Sequence, residues 1–127
     1  PVIRLSSLPA GVTFGVGGPL PVTSLPTNLI RLDVDRAVAP DPISLSFDGN
    51  LTTDLETPSV GLALSWTKTG VPASGPSIGT TFTASFDVPD NIFPIDPDTV
   101  HFVQLTATDP CNGTASRSLT ILVRRVN

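Results

Sequence analysis

Four acidic residues are the first candidates for binding a metal ion. Asp48, Asp54, Glu56 and Asp109 stand at the ends of apolar runs, and a β-sandwich could bring them to one pole. Carboxylate oxygens suit Ca²⁺, which takes about six to eight oxygen ligands. The spacing is not that of an EF-hand, and Asp in turns ordinarily accepts hydrogen bonds from its own backbone. A calcium site and turn-forming aspartates are therefore both open interpretations. A second acidic stretch, residues 87–98, is interrupted by prolines and is typical of a solvated loop.

The residues that acid–base catalysis needs are scarce. His101 is the only His, so a Ser-His-Asp arrangement would have to include it, yet its place in an alternating run indicates packing or an edge position. Glu56 is the only Glu and lies in a polar segment, where nothing predicts the raised pKa of a glycosidase acid. The glycines of residues 11–18 lack the Lys-Ser/Thr of a phosphate-binding loop. We expect no enzyme, and no cofactor other than calcium.

Three further sites concern covalent modification. Cys111 is the only cysteine, which excludes an intrachain disulfide and leaves either an unreactive thiol or a bridge to another chain. Asn50 and Asn112 each begin an Asn-X-Thr sequence in a predicted loop. N-glycosylation is therefore permitted at both positions and not implied.

The candidate interaction residues are apolar. Val12, Phe14 and Val16 would share one face of an extended segment within residues 1–27, which are rich in Pro and Gly. This segment is either a linker or edge strand of the chain's own sandwich, or a strand donated to a neighbouring subunit. Phe102 falls on the outward side of its run, where the N-terminal segment or a partner would cover it.

The elements that must position these residues are short strands. From about Asn28 onward, apolar residues alternate with polar ones, mostly Ser and Thr, in runs separated by Pro, Gly, Asn and Asp. Alternation with a period of two predicts antiparallel strands, and no run keeps the helical period of 3.6. The opening run lies in residues 28–38, and the later ones are Ile43–Phe47, Leu62–Trp66, Phe82–Phe86, Val103–Ala107 and Leu119–Val123.

The register of these runs predicts the core. If each apolar residue points inward, two facing sheets enclose one interior, and the single Trp can contact both of them. A shift of one residue would replace this set by Ser and Thr. The predicted core consists of Leu45, Phe47, Leu62, Leu64, Trp66, Phe82, Phe86, Val103, Leu105, Leu119, Ile121 and Val123.

Composition narrows the class of protein. The 127 residues suit one domain, which we divide into an N-terminal linker or donated strand (1–27) and a β-sandwich (28–127). Charged residues are 14% and the net charge is −4, which argues against nucleic acid and anionic membranes as partners. No apolar stretch is long enough to span a membrane. The sequence contains no Met and starts at Pro1, and we expect it to be processed or cut from a longer chain.

Three segments together resemble the polycystic-kidney-disease-like (PKD-like) Ig-fold repeats of surface proteins. ISLSFDGNLTTD is similar to the family's strand that ends in Asp-Gly, and LALSWTKTGVPASGP to its Trp-bearing strand, followed by TASFDVPD. HFVQLTATDPCNGTASRSLTILV is similar to its closing hairpin. The resemblance covers residues 42–123 and implies an antiparallel Ig-like β-sandwich of about seven strands. It marks no catalytic site and implies spacing, adhesion or assembly outside the cell.

These observations lead to two expectations from different classes. The first is a non-catalytic structural or interaction module of an extracellular or cell-surface protein. Such a module would contribute to a surface assembly or filament through contacts between copies of itself, including the N-terminal segment. The alternative is an accessory domain of a secreted hydrolase that binds glycan or calcium.

Overall fold

The structure is a computed structural model that describes residues 3–5, 8–16, 29–49, 62–111 and 113–127. The strands in these ranges are β1 (Arg4–Leu5), β2 (Val12–Val16), β3 (Leu29–Val34), β4 (Ile43–Asp48), β5 (Ala63–Thr69), β6 (Ser74–Ile78), β7 (Thr81–Phe86), β8 (Thr99–Thr108) and β9 (Thr114–Arg125). The described ranges contain no helix that is long and apolar enough to cross a membrane.

The strands form two sheets that pack as a sandwich. One sheet has three strands in the order β1-β4-β7, and the other has six in the order β2-β3-β9-β8-β5-β6. Neighbouring strands are antiparallel except for β3 and β9, which are parallel. The prediction of an all-β protein with two packed sheets is confirmed. The long β8–β9 hairpin lies inside the larger sheet, so the side chains on the outer side of β8 are held on a rigid surface.

The core lies between the sheets and follows the predicted register. Eleven of the twelve predicted residues are buried, and Leu62 is half-buried against them. Phe47 of the smaller sheet lies at its centre, with ring centroids 6.4 Å from Trp66, 6.5 Å from Phe82 and 6.0 Å from Phe86. Trp66 of the larger sheet stacks on Phe82 at 5.7 Å. The single Trp therefore contacts the opposite sheet, as its position in the sequence predicted.

Two strands from the N-terminal segment belong to the sandwich. Leu5 of β1 pairs with Phe47 of β4, at the edge of the smaller sheet. Val12 of β2 pairs with Val34 of β3, at the edge of the larger sheet. Because both strands are hydrogen-bonded to strands of the same chain, the sandwich begins before residue 28.

Strand β6 has no apolar alternation in its sequence, Ser-Gly-Pro-Ser-Ile, and was not predicted. It pairs with β5 at the edge of the larger sheet, where Gly75 has a φ of 95°. Pro76 lacks a backbone donor, so Pro within a sheet is largely confined to edge strands such as this one. The chain leaves β6 at Gly79, whose carbonyl accepts a 2.9 Å hydrogen bond from Trp66 Nε1. This bond satisfies the polar atom of the buried indole.

Candidate functional site

Two of the candidate interaction residues of β2 pack against the chain's own core. Val12 is buried in the chain's own core, and Phe14 is partly buried against it. Val16 pairs in register with Arg31, and its side chain lies outside the described set. Residues 12–16 pair with β3 as an edge strand of the chain's own larger sheet. A strand donated to a neighbour would have to leave this position.

Phe102 lies on the outer side of the six-stranded sheet, as its register predicts. Its side chain is 46% exposed and that of Val100, two residues earlier, is 48% exposed. Leu122 of β9 is the cross-strand partner of Val100 and shares this side of the sheet. We call Val100, Phe102 and Leu122 the outer-face patch. β2 lies in the plane of the same sheet and does not cover the patch, and residues 17–28 of the N-terminal segment lie outside the described residues.

Polar side chains surround the patch on the same face. Phe102 has Thr69 of β5 on one side and Thr120 of β9 on the other, because these are its cross-strand partners. Further along the same strands, the hydroxyls of Thr106 and Ser116 are hydrogen-bonded at 2.9 Å. The face therefore has the composition of a contact surface, which is apolar in the middle and polar at the rim.

The charges that flank the patch are paired. Arg31 Nε lies 3.2 Å from Asp33 Oδ1, and Arg124 Nε lies 2.8 Å from Asp98 Oδ1. The Arg124 guanidinium also stacks on the Phe93 ring, 3.8 Å from its centroid. The hydrogen bond to Asp98 raises the pKa of Arg124. Neither arginine therefore adds an uncompensated charge to the face that carries the patch.

The four acidic residues proposed for calcium are only partly described. Asp48 is the last residue of β4, and its side chain is half-buried. Asp109 Oδ1 accepts hydrogen bonds from the amides of Cys111 (2.9 Å) and Gly113 (2.8 Å), which is the turn-forming alternative. Asp54 and Glu56 lie outside the described residues. Within the described ranges no three His, Cys, Asp or Glu side chains are grouped to hold a metal ion. Calcium stays a prediction.

The two sequons fall on Asn50 and Asn112, which also lie outside the described residues. Cys111, beside the second sequon, is free and exposed. A thiol at the tip of the β8–β9 hairpin is accessible to another chain, and the two alternatives for it remain open.

The second acidic stretch forms an open groove of about 260 Å³ between β7 and β8. The groove is lined by Asp87, Val88, Pro89, Asp90, Asp96, Pro97, Asp98 and Thr99. Asp96 Oδ2 accepts hydrogen bonds from the backbone and side-chain nitrogens of Asn91, and Asp98 binds Arg124. Two of its four carboxylates are thus engaged in holding the loop.

Two basic side chains lie inside the sandwich, and only one of them was a candidate from the sequence. Lys68 is 2% exposed, and its Nζ donates a 2.6 Å hydrogen bond to the Pro72 carbonyl. It lies 4.8 Å from the centroid of Phe86, whose ring meets that of His101 edge-on. Lys68 continues the alternation of Leu64 and Trp66, so the register already placed it on the inward side.

The tautomer of His101 follows from its neighbour. Thr99 Oγ1 donates to the Asp87 carbonyl at 2.7 Å, so it accepts from His101 Nε2 at 3.0 Å. The other ring nitrogen, Nδ1, is then the bare acceptor, and it is buried without a hydrogen-bond partner. Burial and the nearby charge of Lys68 lower the pKa of His101 to about 4. Burial also lowers the pKa of Lys68, against the opposing charge of Asp87.

This buried pair cannot reach a substrate, because both side chains are enclosed between the sheets. Of the two positions expected for His101, packing in the interior or a place at an edge, the structure has the first. His101 lies on β8, which is a central strand of the larger sheet. Of the candidate interaction residues, the outer-face patch contains Phe102, beside the exposed Val100 and the half-buried Leu122. Comparisons of the chain with protein-family models, with curated proteins and with solved structures find no match.

Proposed function

We propose that the chain is a non-catalytic structural module of an extracellular or cell-surface protein, and that it contributes to an assembly through contacts between copies of itself. Its architecture in this proposal is an Ig-like sandwich of the PKD-like kind. The observation that carries the proposal is the outer-face patch, in which Val100 and Phe102 are about half exposed on a rigid central strand.

The order of the strands supports the Ig-like assignment. Ig domains place strands A, B and E in one sheet and G, F and C in the other, with C′ added beyond C in some of them. The order β1-β4-β7 corresponds to A-B-E, and the order β9-β8-β5-β6 corresponds to G-F-C-C′. Trp66 lies on β5, which corresponds to strand C, the strand that carries the buried Trp of Ig domains.

The location of charge supports a contact between identical faces. The chain has a net charge of −4, and four of its acidic residues lie in the groove at residues 87–98. Copies that met through this groove would repel each other. The patch is instead flanked by the Arg31–Asp33 and Arg124–Asp98 ion pairs. Two copies that stack face to face there would bring together apolar groups and paired charges.

The arrangement of titratable groups supports a module without catalysis. An acid–base mechanism needs two groups that reach the same substrate. The only His is fully buried, and its bare nitrogen has no hydrogen-bond partner. Since β2 completes the chain's own sheet, the proposal assigns the contact to the patch and not to the Val12–Phe14 segment.

The experiment compares a double substitution in the patch with a single substitution at an exposed valine outside it. The double variant Val100→Thr/Phe102→Thr keeps β-forming residues on β8 and removes the apolar centre of the patch. Val38→Thr is the matched control, because Val38 is 59% exposed but lies in the turn after β3. Each buried side chain of this size contributes about 2 kcal/mol, so we expect the double variant to raise the dissociation constant by roughly tenfold or more.

The measurement is the weight-average mass by sedimentation equilibrium over a concentration series. The proposal requires that the double variant loses mass and that Val38→Thr does not. An unchanged mass in the double variant would remove the patch from the assembly.

A further inference from the structure

The pairing of β4 with β7 determines which backbone groups of β7 point away from the sheet. Gly49 donates its backbone N–H to the Thr80 carbonyl at 2.8 Å, and the register continues with Phe47 opposite Phe82. In an antiparallel ladder, hydrogen-bonded and non-hydrogen-bonded pairs alternate. Phe82, Ala84 and Phe86 therefore bond to β4, while Thr81, Thr83 and Ser85 direct their N–H and C=O groups to the other side. We call these three residues the open edge.

A second contact agrees with this assignment. Asp87 is the next residue in the alternation 81, 83, 85, and its N–H points away from β4, because it donates a 3.0 Å hydrogen bond to the Val71 carbonyl. Its carbonyl accepts from Thr99 on the same side. The loop between β5 and β6 thus closes the edge at Asp87. No residue of the described ranges pairs with the backbone of the open edge itself, since β7 pairs with β4 alone there.

The open edge lacks the protection that the other described edge strands have. β6 carries Gly75 and Pro76, β2 is irregular between Phe14 and Val16, and β1 has two residues. Prolines, bulges, short length and charged side chains are the features that keep edge strands from pairing with other chains. β7, with the sequence Thr-Phe-Thr-Ala-Ser-Phe, has six regular residues and none of these features.

We propose that β7 pairs antiparallel with β7 of a second copy, so that the two three-stranded sheets become one continuous six-stranded sheet. A two-fold axis at Thr83 places Thr83 opposite its equivalent and Thr81 opposite Ser85, which makes the contact self-complementary. Each of these pairs exchanges two backbone hydrogen bonds, about six in all. The inference rests on the self-assembly proposed above and names a second surface for it.

The second copy fits this edge better than a charged partner would. Residues 81–86 contain no charged side chain, so two such strands meet without like-charge repulsion although each chain carries a net charge of −4. The side chains of Thr81 and Thr83 are exposed on the outer face of the smaller sheet, and those of Phe82 and Phe86 remain in the core. Pairing therefore requires no rearrangement of the interior. The Val71–Asp87 bond at one end limits the contact to the open edge.

The experiment uses the Phe102→Thr variant, in which the outer-face patch is weakened, as the starting protein. Thr83→Lys places two ammonium groups opposite each other at the two-fold axis, and we expect it to raise the dimer dissociation constant about tenfold or more. Ser46→Lys is the matched control, because Ser46 is the β4 partner of Thr83, shares the outer face and is not at the edge. We expect Phe102→Thr and its Ser46→Lys derivative to form dimers, and the Thr83→Lys derivative to be monomeric.

Amide hydrogen exchange gives an independent measure on the same Phe102→Thr protein. Dilution should release protection at the amides of Thr81, Thr83 and Ser85, whereas those of Phe82 and Ala84, which bond to β4, should stay protected. Two results would overturn the inference. One is that Phe102→Thr stays monomeric up to about 1 mM, a concentration at which all but very weak contacts form. The other is that its dimer persists when Thr83→Lys is added. If the unsubstituted chain assembles and Phe102→Thr alone makes it monomeric, the patch is retained and the edge is rejected. If Thr83→Lys alone makes the unsubstituted chain monomeric, the edge is retained and the patch is rejected.

Discussion

Inside the sandwich, the bare Nδ1 of His101 is buried without a hydrogen-bond partner, and the charge of Lys68 lies near the imidazole ring. The folded protein therefore keeps this His neutral down to a pKa of about 4, whereas the unfolded chain protonates it near 6.5. Because the folded pKa is lowered, the stability that neutral His101 contributes is complete above pH 6.5. It is lost as the pH falls from 6.5 to 4.

We expect this linkage to lower the free energy of unfolding by about 3 kcal/mol across that interval. In His101→Gln this linkage is absent. Between pH 7 and pH 4.5, the free energy of unfolding of this variant should therefore fall by about 2 kcal/mol less than that of the unsubstituted chain. Urea unfolding at both pH values measures this difference. Carboxylates titrate in both proteins and cancel in the comparison, and equal losses in the two proteins would contradict the role of His101.

Phe47 and Phe102 are the same residue type in opposite environments. Phe47 is fully buried between Trp66, Phe82 and Phe86, so Phe47→Ala should cost about 3 to 5 kcal/mol. Phe102 is 46% exposed, and Phe102→Thr should change stability by less than about 0.5 kcal/mol. The fluorescence of the single, buried Trp66 reports unfolding in urea at low protein concentration, where assembly does not contribute. Similar costs for both variants would contradict the assigned register.

At the scale of the elements, the ladder between β4 and β7 can be tested with proline. Thr83→Pro removes an N–H that points to the open edge, so we expect a folded protein that has lost less than about 1 kcal/mol. Ala84→Pro removes an N–H that bonds to β4 and should cost about 3 kcal/mol or more. Thermal unfolding followed by circular dichroism compares the two neighbours. If Ala84→Pro is the milder substitution, the alternation along β7 is inverted and the open edge is misassigned.

The sequence predicted strands where one side chain in two is apolar. Trp66 and Leu105 were placed in the core because apolar and polar residues alternate along their strands, and this alternation determines the face on which each side chain lies. β6 was missed because an edge strand that contributes little to the core carries no such repeat. Phe102 was recognised as outward from the same repeat, but the open edge of Thr83 was not, since only the pairing partner decides where a backbone N–H points.

For the whole molecule, the two proposed contacts lie on different sheets and can operate together. The outer-face patch is on the six-stranded sheet, and the open edge belongs to the three-stranded sheet. Each contact joins a copy to another through a two-fold axis, and two distinct two-fold contacts on one chain link copies alternately. The unsubstituted chain should therefore form species larger than dimers, growing with concentration unless an even number of copies, four or more, closes into a ring.

Substitution separates the two contacts. Thr83→Lys should leave dimers held by the patch, Phe102→Thr should leave dimers held by the edge, and the double variant should be monomeric. Light scattering coupled to size-exclusion chromatography gives the mass of each.

The variants Thr83→Lys and Phe102→Thr should also differ in their response to salt, because added salt screens the repulsion between lysines that face each other at the edge. Raising the ionic strength should therefore restore larger species to Thr83→Lys and leave the mass of Phe102→Thr unchanged. If both variants respond alike, repulsion between the lysines is not what separates the copies in Thr83→Lys.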